Sequence, residues 1–144
     1  MSNLIIKTHR QGASYQENQI YILNKGLNSG KPQKAPFTNS FVITFLTKED
    51  ADSSYWLLYT LWKINFWHPH LCGSVIPFLK INELKKMAIP KLMELRTNTD
   101  QYQKQLKSLG LIDAKEREMQ EVLKLLQEMR KTILGYHLKR CVQY

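Results

Sequence analysis

Apolar and polar positions change rhythm twice along this chain. Over residues 1 to 46 the apolar residues come in short runs, rich in β-branched and aromatic types, separated by turn formers. Leu4-Ile5-Ile6, Gln19 to Leu23 and Phe41 to Leu46 fit strands, the last most strongly. At Thr47 the spacing becomes three and four. Thr47 is placed as a helix N-cap, and Glu49, Asp50 and Asp52 lie where the positive end of the helix dipole favours acids. Tyr55, Leu58, Tyr59, Trp62 and Phe66 then predict an amphipathic helix with unusually bulky aromatics. Pro69, Gly73 and Pro77 punctuate residues 67 to 77 too closely for a helix. Phe78 to Ile81 reads as a returning strand, Asn82 to Met87 as a short helical turn, and Ala88-Ile89-Pro90 as the end of a globular part.

Past Pro90 the chain turns to Lys, Glu, Gln, Leu and Met without proline. Leu92, Leu95, Thr99, Tyr102, Leu106 and Leu109 form a heptad seam, which Gly110 interrupts. Asp113 with Glu116 resembles a capping-box restart, and Met119, Val122, Leu126, Met129, Ile133 and Tyr136 repeat the alternation. The two seams fit either a helix hairpin or a bent coiled-coil rod, and each needs a partner to cover it. The expected fold is therefore α+β, with a small sheet-and-helix domain at 1–90 and a helical spacer at 91–144.

The length of 144 residues allows one compact core with a helical appendage. Charge adds a direction. With 21 Lys+Arg against 12 Asp+Glu the formal net charge is +9, which favours polyanionic partners, nucleic acid or an acidic protein surface. Two cysteines, Cys72 and Cys141, are too few for a disulfide framework, and the N-terminus MSNLIIKTHR has neither a signal-peptide nor a membrane-anchor pattern. A cytoplasmic protein without membrane attachment is expected.

The stretch NKGLNSGKPQKAP, residues 24 to 36, superficially resembles a phosphate-cradling Walker loop. Gly26 to Lys31 is one residue short, however, and Pro32 stands where the motif requires Ser or Thr. The stretch reads instead as a strand connection whose Lys25, Asn28, Ser29, Lys31 and Lys34 are candidate contacts to a nucleic-acid backbone. The competing reading is an idle solvated loop. Lys85, Lys86 and Lys91 form a second basic group, better read as a solvated helix face. His68, His70 and Cys72 alternate in HPHLC, which in an extended segment would put three metal-binding side chains on one face. A fourth ligand and paired spacing are missing, so no metal or cofactor is expected. No nucleophile elbow, zinc-protease pair or deaminase signature occurs, so a non-catalytic binding role is the better class.

The order of these pieces resembles the target-recognition half of type I restriction-modification specificity subunits. The resemblance rests on Asn39 to Val42, Tyr55 to Tyr59, Gly73 to Leu79, Asn82 to Lys86, Ile89-Pro90 and the heptad tail through Leu138. NKGLNSGKP and HPHLCGSVIPF are also similar to small bacterial proteins of mobile elements. The first resemblance implies a reader of duplex DNA, with Ser74 among its contacts. It also implies a helical spacer that pairs with a second spacer in a homodimer, or docks a methyltransferase subunit, through Leu92, Leu95, Tyr102, Leu106, Leu109, Met119, Val122, Leu126, Met129 and Ile133. An assembly module or decoy that uses the helices without reading DNA is the alternative.

Overall fold

The computed structural model describes residues 4–141, apart from the side chains of Thr99, Arg140 and Cys141. The fold is α+β, as the two rhythms predict. Four strands, β1 (Ile5–Thr8), β2 (Gln19–Leu23), β3 (Pro32–Gln33) and β4 (Ser40–Thr44), form one antiparallel sheet in the order β1-β4-β2-β3. Three helices follow, α1 (Lys48–Lys63), α2 (Ile81–Thr97) and α3 (Thr99–Cys141).

Register follows from the alternation of side chains. Ile43 pairs with Ile20 on one side and Ile6 on the other, while Phe41 pairs with Ile22, so one face of the sheet is a continuous apolar surface. That face meets Ala51, Leu58 and Leu61 of α1 and Leu84, Ala88 and Leu92 of α2 in a single core. Each large aliphatic side chain buried there contributes about 1.5–3 kcal/mol of transfer free energy.

Helix α1 starts where the sequence indicates. Thr47 is extended, and its hydroxyl accepts the Asp50 N–H at 3.1 Å. The helix ends at Ile64 and Asn65, the latter in the left-handed region at φ 59°. Its buried stripe differs from the aromatic one the spacing suggested: Ala51, Ser54, Leu58 and Leu61 point inward. The bulky rings Tyr55, Trp56, Tyr59 and Trp62 flank that stripe and are half-buried.

Three expectations are corrected around α2 and α3. Phe78 does not open a strand; it makes isolated bridges with Lys25 and Cys72, and Ile81 already begins α2. Pro90 does not end the globular part. It sits inside α2, which continues because Ala88 on one side and Leu92 and Leu95 on the other are buried. Their burial offsets the cost of about 3 kcal/mol for a proline in a helix interior. The boundary expected after residue 90 thus falls within a helix, and the chain divides into compact units between Leu106 and Lys107 instead.

The helical break comes at Asn98, in the middle of the first seam, and not at Gly110. Asn98 leaves the helical region (φ −115°, ψ 46°), and the Tyr102 hydroxyl spans the turn to Glu94 Oε1 at 3.0 Å. That acceptor also helps hold the Tyr102 phenol proton above its ordinary range. Gly110 and Asp113 are interior to α3, so the hairpin is excluded by a continuous helix. A single half-buried glycine at this position costs only about 1 kcal/mol, too little to stop a helix of this length. The two seams fare differently. Leu92, Leu95 and Leu106 are buried, Tyr102 and Leu109 are half-buried, and Met119, Val122, Leu126, Met129 and Ile133 are exposed.

Candidate nucleic-acid interface

The connection from β2 to β3 is held by its own backbone. Gly30 N–H donates to Leu23 C=O at 2.8 Å, Lys31 N–H to Asn28 C=O at 3.0 Å, and Ser29 N–H to Gly26 C=O at 3.1 Å. Gly26 N–H donates to Pro77 C=O at 2.7 Å, tying this loop to the loop before α2. Four of the six amides that a phosphate cradle over 26–31 would aim at its ligand are therefore already engaged. Gly26 and Gly30 both adopt positive φ, 91° and 96°. Gly30 also admits a neighbour: a Cβ built there would lie 2.1 Å from Cδ1 of the buried Trp67. Its lack of a side chain serves packing, where the sequence suggested room for a ligand.

Ser29 is fully buried and its hydroxyl donates to Gly26 C=O at 2.6 Å, so it faces the interior and not a ligand. Lys25, Asn28, Lys34 and Ser74 are exposed, and Lys31 is half-buried. The Gly26–Pro77 bond and the Lys25–Phe78 bridge bring the loop bearing Ser74 against the one bearing Lys25 and Asn28.

What the sequence did not reveal is the partnership of this loop with α1. Tyr55, Trp56, Tyr59 and Trp62 form a connected array of half-buried rings: Tyr55 and Tyr59 stack at 6.0 Å, Trp56 meets both tyrosines edge-on, and Tyr59 contacts Trp62 at 5.5 Å. Ammonium groups lie over these rings. Lys31 Nζ is 5.0 Å from the Trp62 centroid, Lys34 Nζ is 5.1 Å from Tyr55, and Lys63 Nζ is 5.9 Å from Tyr59 and 5.6 Å from Trp62. Each such contact is worth about 0.5–1 kcal/mol at an exposed site, enough to bias a lysine rotamer without neutralising the charge. Lys34 is additionally paired with Asp52 at 3.3 Å. The aromatic spacing on α1 was visible in the sequence, but it gave no sign that residues 31 and 34 would cross it.

HPHLC is not an extended segment. His68–His70 forms a 3-10 turn, which breaks the shared face that alternation required. His70 Nδ1 lies 3.5 Å from Glu83 Oε2, and Cys72 exchanges both backbone hydrogen bonds with Phe78 at 2.9 Å. Among the described residues no group of three or more His, Cys, Asp or Glu side chains is placed to hold a metal ion. No helix among them is long and apolar enough to cross a membrane.

Neither the curated proteins nor the solved structures provide a match to this chain. A family model does: the match runs over residues 6–135, from β1 through nearly the whole of α3. On that match the chain belongs to the family described as Family of unknown function (DUF6943).

Proposed function

We propose that this protein binds duplex DNA, without catalytic residues of its own, through the face made by the β2–β3 loop, Lys34 just past β3, and α1. The observation that carries the reading is the row of Lys31, Lys34 and Lys63 held over the rings of α1. Lysine side chains lose rotamer entropy when they contact a phosphate. Rings that already restrict them reduce that loss. Lys25, Asn28 and Ser74 extend the same polar surface, and the net charge of +9 favours encounter with a polyanion. The ordered resemblance to type I specificity subunits supports the same class of ligand.

Binding to a randomised duplex pool, measured across a salt series, tests this. Each phosphate contact contributes about −0.9 to the slope of log K against log salt, so Lys31→Ala and Lys63→Ala should each flatten it by roughly one. Failure to retain any duplex at low salt would remove the proposal. The second reading, an assembly module acting through its helices, is favoured by the exposed half of the heptad pattern on α3.

A further inference from the structure

The second compact unit, from Lys107 onward, carries an apolar seam that is exposed among the described residues. Met119, Val122, Leu126, Met129 and Ile133 follow one another at heptad spacing, with Tyr136 after them, and are between 47% and 68% exposed. A stripe of this length on a charged helix marks an association surface. The charge pattern along the helix selects the occupant. From Lys115 to Glu121 there are three exposed acids, Glu116, Glu118 and Glu121, against two cations, Lys115 and Arg117, the latter paired at 3.0 Å with the buried Asp113. From Lys124 to Lys139 the balance reverses, with Lys124, Arg130, Lys131 and Lys139 against Glu128 alone.

We infer that α3 pairs with α3 of a second copy of this chain, in antiparallel orientation, about a two-fold axis between Leu126 and Met129. This alignment sets Leu126 against the second copy's Met129, Val122 against its Ile133 and Met119 against its Tyr136, closing the seam on itself. It also lays the acidic half of each helix along the basic half of the other. With Met119 at an a position, Glu118 and Lys139 both fall at g, and antiparallel pairing brings g positions of opposite ends together. Glu116 and His137 do the same at e. A parallel pair would instead flank the seam with Glu118 beside Leu123 and Leu125 beside Arg130, forming no such charge pair. The two-fold operation makes each contact occur twice, as a closed dimer requires. Glu118 reaches Lys115 at 3.4 Å within its own helix, an exposed pair of small worth that leaves the carboxylate able to accept a second cation.

The inference does not depend on DNA binding and is tested by sedimentation equilibrium on the full chain. Glu118→Lys and Lys139→Glu, each at an exposed position, should raise the dimer dissociation constant about tenfold, since each places two like-charge pairs in the dimer. The double swap should restore it to within about twofold. Residues 118 and 139 are about 31 Å apart along one helix at about 1.5 Å per residue, so the restoration can only act between chains. Leu126→Glu should give a monomer. A chain that is monomeric at every concentration, a dimer that survives Leu126→Glu, or charge swaps that fail to compensate would each overturn the inference.

Discussion

Gly30→Ala is the sharpest perturbation of the β2–β3 loop. At φ 96° an L-residue gives up about 1–2 kcal/mol in backbone strain. The new methyl would also arrive 2.1 Å from Cδ1 and 2.6 Å from Cγ of Trp67, a side chain that is 1% exposed and has no room to retreat. Forcing a methyl into a packed site costs a further 1–3 kcal/mol or so, giving a total of about 2–5 kcal/mol. Gly26→Ala is the matched control. Its φ of 91° is nearly the same, but nothing lies within 4 Å of the added Cβ, so only the strain of about 1–2 kcal/mol applies. Urea unfolding followed by tryptophan fluorescence reads the difference, because Trp56, Trp62 and Trp67 all lie in the first compact unit. With a denaturant slope of about 1–3 kcal/mol per molar, the extra 1–3 kcal/mol or so should put the Gly30→Ala midpoint about 0.3–3 M below that of Gly26→Ala. If the two variants unfold within about 0.5 kcal/mol of one another, Trp67 does not pin this loop and the packing argument fails.

Leu92→Ala should cost about 2–5 kcal/mol, because Leu92 is buried in the core beyond Pro90. Leu126→Ala, measured dilute enough to be monomeric, should change stability by no more than about 0.5 kcal/mol, and equal losses would contradict the split between the two seams. Stability should also decline in alkali. Burial pushes the Tyr21 phenol above its ordinary value of 10.0, and the hydrogen bond to Glu94 does so for Tyr102. Both groups hold their protons more tightly folded than unfolded. Their contribution is therefore complete below pH 10 and lost as the pH rises through the folded-state values. Tyr21→Phe and Tyr102→Phe should flatten the alkaline limb of a denaturation–pH series.

Local chemistry made part of this fold legible. The Thr47 cap, the acids after it, the β-branched run that becomes β4 and the heptad alternation are all encoded within a few residues of where they act. The misread elements turn on distant partners. Pro90 and Gly110 carry breaker chemistry, but α2 runs through Pro90 because residues on both sides of it bury against the sheet, and one glycine is a small penalty in α3. The candidate interface divides the same way. Its lysines were visible in the loop, whereas the rings beneath them belong to a helix that starts 17 residues after Lys31 and became neighbours only through the pairing of β2 with β3. The role of Gly30 was hidden for the same reason, since Trp67 is remote in sequence.

Pro32 first mattered as the residue that disqualifies the phosphate-loop motif. In the folded chain it is half of β3, the two-residue strand at the margin of the sheet, paired with Ile22. A margin this short, and lacking one amide hydrogen, offers almost no template for an incoming strand. Growth of the sheet from copy to copy is thereby discouraged on the very side that carries the lysine loop. If the proposed binding to duplex DNA gathers copies of this chain along one ligand, a guarded margin there would let them crowd without aggregating through their strands.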